Sequence, residues 1–136
     1  MAVTPLELAR TAAIAADDKK AADIVVIDLS QASDICDYFV ICTARSKPHS
    51  DAIVEEVREK VKANCNERPL SVEGKVGSSW ALIDFGVVVV HVFRPESRDY
   101  YRLERLWGDA PRVDFGLEGA VEEEGDDKQA VALQEG

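Results

Sequence analysis

The sequence has few basic residues for its number of acids, and this shortage excludes one class of function. Sixteen lysines and arginines stand against 26 acidic residues, so the net charge is −10. A protein that clamps the phosphate backbone of a nucleic acid unaided needs a basic surface, which this composition does not supply. The acidic excess is compatible with binding to a basic protein partner.

Cysteines and long apolar runs are also scarce. The three cysteines, Cys36, Cys42 and Cys65, form no Cys-x-x-Cys pair. This argues against a disulfide framework and against zinc, and we expect neither a metal nor a cofactor. The longest apolar run, Val87–Val92, is interrupted at His91 and has the length of a strand, whereas a membrane span needs about 20 apolar residues. With no leader pattern at the start, we expect a soluble cytoplasmic protein.

The sequence does contain enough apolar material for one domain. It has 136 residues, of which 46% are hydrophobic and 31% charged, a composition typical of globular domains. Residues 118–136 hold seven acids and one base, which leaves a net charge of −4 on residues 1–117. We therefore predict a folded domain over residues 1–108 and an acidic tail over residues 109–136, partly or wholly disordered.

Two amphipathic helices are predicted in the first half of the chain. The first runs from about residue 5 to 20, because Thr4 and Glu7 have the spacing of a capping box. Its apolar stripe is predicted to contain Leu6, Ala9, Ala13 and Ala16. The second runs from about residue 48 to 64. Its predicted apolar positions are Ile53, Val54, Val57 and Val61.

Runs of β-branched and aromatic residues predict the strands. They are Asp23–Leu29, Tyr38–Thr43, Leu70–Glu73, Trp80–Phe85 and Val87–Arg94. Gly86 predicts a tight hairpin between the last two, and strand alternation puts Trp80 and Asp84 on one face. A final helix is predicted from Pro95 to Trp107. The order of elements predicts an α/β domain, a mixed sheet of about five strands with helices packed on it.

No set of residues supports nucleophilic catalysis. His91 inside a valine strand is typical of a structural imidazole, and His49 at a helix start is typical of a surface or capping residue. Cys42 lies on a predicted buried strand, where cysteine packs as a small hydrophobic side chain. The chain has no Gly-x-Ser-x-Gly elbow. We therefore predict that it is not an enzyme.

A divergent metal-dependent nucleotidyl transferase is the alternative, on the analogy of fold alone. Its reaction needs two carboxylates that face the same way and hold two Mg²⁺ ions about 4 Å apart. On a strand this means Asp-x-Asp, and no two aspartates here are two residues apart. The carboxylates available to such an enzyme are Asp28, Asp34, Asp37 and Asp84.

Short motifs between residues 4 and 108 form a series. They are Asp23-Ile24 with Asp28, the run Asp37–Thr43, Ser46 with His49, Glu73-Gly74, Trp80, Asp84 with Gly86, Val90-His91-Val92, and Glu96-Ser97-Arg98-x-x-Tyr101-x-Leu103-Glu104-x-Leu106-Trp107. In this combination the chain resembles the ribosomal silencing factor family, also called RsfS or Iojap. Ala44 departs from the pattern, where the family usually has glycine, and the acidic tail is expected to lie outside it.

The resemblance implies a nucleotidyltransferase-like α/β fold without catalytic residues, in agreement with the missing Asp-x-Asp. It also implies that the chain binds the large ribosomal subunit through large-subunit ribosomal protein fourteen. The bound domain would sterically block association with the small subunit and so repress translation in starvation or stationary phase. A homodimer is implied as well.

The motifs carry five partner-binding residues over to this chain, namely Trp80, Asp84, Glu96, Arg98 and Tyr101. Trp80 is the predicted anchor, because large aromatic side chains dominate the energetics of interfaces; its other interpretation is a core tryptophan. Asp84 can pair with a lysine or arginine of the partner, or it can cap the turn before Gly86. Tyr101 can also serve packing alone.

Overall fold

The computed structural model of the chain describes residues 3–74, 79–96 and 110–120. Within them, two helices and six strands follow one another in chain order. They are α1 Pro5–Asp18, β1 Ala22–Asp28, β2 Tyr38–Thr43, α2 Lys47–Cys65, β3 Ser71–Glu73, β4 Trp80–Asp84, β5 Val88–Phe93 and β6 Arg112–Val113. Of the predicted final helix, Pro95 and Glu96 are helical and the remainder lies outside the described residues. Neither α1 nor α2 is long and apolar enough to cross a membrane.

Both helices begin where the sequence supplies a cap. The Glu7 N–H donates to the Thr4 hydroxyl at 3.1 Å, and the Thr4 N–H donates to the Glu7 carboxylate at 2.9 Å, which confirms the capping box. Ser46 caps α2 by accepting from the His49 N–H at 3.2 Å. The left-handed backbone of Asn66, with φ of 57°, ends α2.

The buried stripe of α1 differs from the predicted one at its first member. The helix buries Leu8, Ala9, Ala12, Ala13, Ala15 and Ala16. Leu6 is 42% exposed, so its assignment to the stripe was wrong. Leu8 is buried where Leu6 was expected. Leu8, Ala12 and Ala15 lie on one side of the helix, because residues at steps of three and four share a helical face. The predicted Ile53, Val57 and Val61 of α2 are all fully buried.

The six strands form one mixed sheet in the order β3–β4–β5–β2–β1–β6. At its centre β2 and β5 pair in parallel, with Val40 beside Val90, and the other neighbours among the described strands are antiparallel. A parallel pair needs a long crossover connection, which α2 and the following two strands supply. The predicted mixed α/β architecture is confirmed, and β6 is the strand that the sequence did not indicate.

The predicted hairpin at Gly86 is confirmed. Gly86 has a φ of 90°, which favours glycine, and the Phe85 N–H donates to the Val88 carbonyl at 2.9 Å. The resulting register sets Trp80 opposite Phe93 and Asp84 opposite Val89. Since side chains alternate along a strand, Trp80 and Asp84 lie on the same face of the sheet, as predicted.

The two helices pack on one face of the sheet, and the opposite face has a second, smaller apolar cluster. Under the helices, the fully buried side chains include Val40, Val88, Val90 and Ile83. The opposite cluster consists of Val25, Ile27, Leu29, Cys36, Ile41 and Phe93. Neither described helix covers this opposite face, which we call the helix-free face.

Residues 110–120 lie along the outer edge of β1. β6 pairs Val113 with Val26, and further on the Ile24 N–H donates to the Gly119 carbonyl at 2.8 Å. The Gly119 N–H in turn donates to the Asp17 carboxylate at 2.8 Å, and a Cβ at Gly119 would collide with the Ala21 carbonyl oxygen. The folded unit therefore extends past residue 108, where the domain was predicted to end, and residues 121–136 of the predicted tail lie outside the described residues.

Replacing Asp17 with alanine should lower the free energy of unfolding by about 1–2 kcal/mol, because a partly buried N–H of Gly119 loses a charged acceptor. Asp18→Ala is the matched control. It removes the same charge from the same helix end, but Asp18 is exposed, so its effect should stay within about 0.5 kcal/mol. Urea denaturation measures both. Equal effects of the two substitutions would show that the Asp17–Gly119 contact does not stabilise the fold.

Candidate functional site

Four ring side chains line up across the helix-free face. Phe39 comes from β2, Trp80 from β4, and His91 and Phe93 from β5; we call these four residues the aromatic row. His91 and Phe93 are 4% and 0% exposed, whereas Phe39 and Trp80 are half-buried. The row therefore has a fixed, buried base and presents parts of two aromatic rings at the surface.

The Trp80 ring packs on two residues of β5: Phe93, which lies directly opposite it, and His91, which lies on the same face of the sheet. Its ring centroid lies 5.2 Å from that of Phe93, with 23° between the planes, and 5.8 Å from that of His91. The indole N–H donates to His91 Nδ1 at 3.2 Å. Trp80 therefore combines a packed ring with a half-buried position on the sheet, a combination common in interface anchors.

His91 is buried and neutral. Burial lowers the pKa of its imidazole to about 4 because the charged form loses its hydration. Its ring meets Phe39 edge-on, with centroids 4.6 Å apart. Since Nδ1 accepts from Trp80, the proton is assigned to Nε2, which has no hydrogen-bond partner among the described residues. The predicted structural imidazole thus has a hydrogen-bond partner at Nδ1 but, among the described residues, not at Nε2. Its contact with Trp80 was not predicted from the sequence.

Asp84 lies at the other end of β4 from Trp80, on the same face. Its Oδ1 accepts a hydrogen bond from the Gly86 N–H at 2.8 Å, so the turn-capping interpretation holds for one carboxylate oxygen. A carboxylate has four acceptor positions, and most of them remain available to a partner. Glu73 of β3 stands opposite Leu82 and therefore shares this face. The β3–β4 side of the helix-free face is acidic.

The remaining residues carried over from the motifs lie beyond β5. Glu96 is 64% exposed, and its carboxylate is 3.6 Å from Arg94 Nε. Because Trp80 pairs with Phe93, Glu96 lies at the Trp80 end of the sheet. Arg98 and Tyr101 lie outside the described residues. The structure thus brings Trp80 and Asp84 to one face, and Glu96 to its margin.

The other histidine and the cysteines have structural surroundings. His49 Nδ1 accepts from the Arg45 N–H at 2.9 Å, and Nε2 lies 2.6 Å from the Lys19 carbonyl, so this ring joins the start of α2 to the end of α1. Cys42 is fully buried, as predicted. Burial raises the pKa of the Cys36 thiol, and the nearby Asp37 and Asp84 raise it further. A thiol held in this way is a poor nucleophile.

The carboxylates named for the alternative enzyme do not form a site where the structure describes them. Asp28 accepts hydrogen bonds from Ser30 in the loop after β1, while Asp84 caps the β4–β5 turn. Residues 3–74, 79–96 and 110–120 contain no group of three or more His, Cys, Asp or Glu side chains placed to hold a metal ion. Nothing in this part of the chain favours the nucleotidyl transferase.

The fold places the chain in a class of small mixed α/β domains that includes a solved structure. It superposes on the crystal structure of protein CV0518 from Chromobacterium violaceum with a TM-score of 0.74 and 31% identity, covering 87% of this chain and 97% of that one. The family model described as "Ribosomal silencing factor during starvation" matches residues 2–135. The chain belongs to this ribosomal silencing factor family, as the motifs predicted.

Individual relatives agree with this assignment. The Bacillus subtilis ribosomal silencing factor RsfS is 43% identical over 110 residues, which cover 79% of this chain and 92% of the relative. The mouse protein named "Mitochondrial assembly of ribosomal large subunit protein 1" is 37% identical over 91 residues, or 65% of this chain and 40% of that protein. The family match includes the acidic C-terminal segment, so the expectation that this segment lies outside the family's pattern was wrong.

Proposed function

We propose that this protein silences ribosomes by binding the large subunit through large-subunit ribosomal protein fourteen, where it sterically blocks association with the small subunit. The observation that carries the proposal is the aromatic row with its acidic neighbours on a sheet face that neither described helix covers, in a member of the silencing factor family. The block represses translation in starvation or stationary phase, and the protein acts in the cytoplasm as a binding module without catalysis.

The charges of the two partners support docking on a protein surface of the ribosome. The chain carries a net charge of −10, and Asp84 and Glu73 place negative charge beside the aromatic row. Ribosomal proteins are basic, so the acidic surface favours encounter with one of them, while exposed ribosomal RNA repels it. The mouse relative's name, which refers to assembly of the large subunit, agrees with this choice of subunit.

Five residues are proposed to contact the partner. Trp80 is the anchor, because its ring stacks on Phe93 and remains half-buried on the helix-free face. Asp84 pairs with a lysine or arginine through its remaining acceptor positions, and Glu96 adds an exposed negative charge at the margin. Arg98 and Tyr101 complete the set by resemblance to the family's motif. A homodimer of the free protein is proposed on the same resemblance.

Sedimentation of purified subunits tests the function. Dissociated large and small subunits are returned to conditions that favour joining, with and without saturating protein, and separated on a density gradient. We expect the joined ribosome peak to fall and the protein to sediment with the large subunit. Chemical cross-linking should then connect the protein to large-subunit ribosomal protein fourteen. An unchanged joined peak at saturation, or co-sedimentation with the small subunit alone, would contradict the proposal.

A further inference from the structure

The hydrogen bond between Trp80 and His91 crosses the β4–β5 hairpin on a diagonal. Trp80 stands directly opposite Phe93, and His91 stands opposite Leu82. The indole N–H nevertheless reaches His91 Nδ1 at 3.2 Å, with 26° between the ring planes. Because an indole can only donate, the imidazole must offer an unprotonated Nδ1. This hydrogen bond therefore links the direction of the indole to one tautomer of one buried side chain.

Packing alone does not account for a histidine at position 91. The side chain is 4% exposed and surrounded by apolar neighbours, and its Nε2 has no hydrogen-bond partner in the described part of the chain. A leucine or phenylalanine would fill the same space without stranding a buried donor, whose desolvation disfavours the fold. The polar atom that is used, Nδ1, is the one that meets Trp80.

A half-buried tryptophan on a sheet surface has other rotamers open to it unless something fixes its ring. The Trp80 ring stacks on Phe93 and His91, but a stacking contact by itself does not set the direction of the indole N–H. The hydrogen bond to His91 adds the direction that stacking lacks. A side chain that is already ordered loses less conformational entropy when it binds, and affinity increases accordingly.

We propose that His91 is a positioning residue for docking: its neutral ring, protonated on Nε2, holds the Trp80 indole against Phe93 in the orientation that the ribosomal partner recognises. The docking step of this inference rests on the proposed function. The positioning step does not, because the orientation of Trp80 is a property of the free protein.

Hydrogen exchange of the indole tests the positioning step in the full chain. The sequence has two tryptophans, so the Trp80 indole resonance is identified as the one that disappears in Trp80→Phe. His91→Leu removes the acceptor, and His91→Asn keeps an oxygen near the position of Nδ1. We expect the Trp80 indole N–H to exchange at least about tenfold faster in His91→Leu and within about twofold of the wild type in His91→Asn. Unchanged exchange in His91→Leu would overturn the proposal.

Binding to purified large subunits tests the docking step. His91→Leu should raise Kd about tenfold and His91→Asn should restore most of the affinity. In the Trp80→Phe background, which has no indole N–H, His91→Leu should cause no further loss; an equal loss there would overturn the proposal. If urea denaturation shows that His91→Leu is not folded under the binding conditions, His91→Phe is used in its place. If the wild type itself fails to bind large subunits, the proposed function fails, whereas faster indole exchange in His91→Leu still supports the positioning step.

Discussion

Trp80→Ala should weaken binding of the folded protein to large ribosomal subunits by about 2 kcal/mol or more, roughly a thirtyfold increase in Kd. The reason is the double environment of the indole, which stacks on the fully buried Phe93 and remains half-exposed on the helix-free face. Binding energy at interfaces concentrates in a few such aromatic anchors, whose packed neighbours hold them in place before contact. Titration of labelled protein with purified subunits gives the Kd.

Leu6→Ala is a suitable control for this substitution. Leu6 is also a large apolar side chain, 42% exposed, but it lies on α1, behind the opposite face of the sheet. Its truncation should leave the Kd unchanged within about twofold. Equal weakening by both substitutions would contradict the anchor role. So would unfolding of Trp80→Ala under assay conditions, detected by circular dichroism, because the residue would then belong to the core.

Lowering the pH from about 7 to about 4.5 should remove about 2–3 kcal/mol of stability through His91 alone. The folded protein keeps the pKa of this imidazole at about 4, while the unfolded chain returns it to its ordinary value near 6.5. Below that ordinary value, the His91 imidazole binds a proton in the unfolded state but stays neutral in the folded state. The contribution of neutral His91 is therefore complete above about pH 6.5 and is lost as the pH falls toward about 4.

Urea denaturation at several pH values isolates this effect when variants are compared. His91→Asn has no imidazole at this position, so its stability should fall less between about pH 7 and pH 4.5, by the same 2–3 kcal/mol. Parallel stability curves for the wild type and His91→Asn would show that His91 titrates normally in the folded protein.

Local signals predicted the elements that depend on local chemistry. The Thr4–Glu7 box, the helix through Val57 and the turn at Gly86 each follow from a few neighbouring residues whose side chains or backbone preferences specify the geometry. β6 escaped prediction because two residues, Arg112 and Val113, carry no periodicity. Their pairing is decided by distant partners on β1 and by the Asp17–Gly119 contact. Leu6 was misplaced because its helix offers apolar residues on more than one side.

The candidate site was predictable in part. Side chains alternate between the two faces of a strand, and counting back from Gly86 along β4 correctly predicted that Trp80 and Asp84 share one face. The same register places His91 diagonally across from Trp80, and counting outward from the turn would have revealed the pair. The hydrogen bond itself depends on the rotamers of both rings and on the buried Phe93 and half-buried Phe39 around them, which no short sequence pattern specifies.

The parallel pairing of β2 with β5 also governs when the aromatic row comes into existence during folding. Trp80, His91 and Phe93 lie on one local hairpin, which can form early because its contacts close a short loop. Phe39 reaches them only after the two strands at the middle of the sheet have met across the whole α2 crossover. Contacts of such long separation along the chain form slowly. A partly folded chain therefore contains the Trp80 hairpin before Phe39 has joined the aromatic row. Binding to the ribosome would then favour molecules that have finished folding.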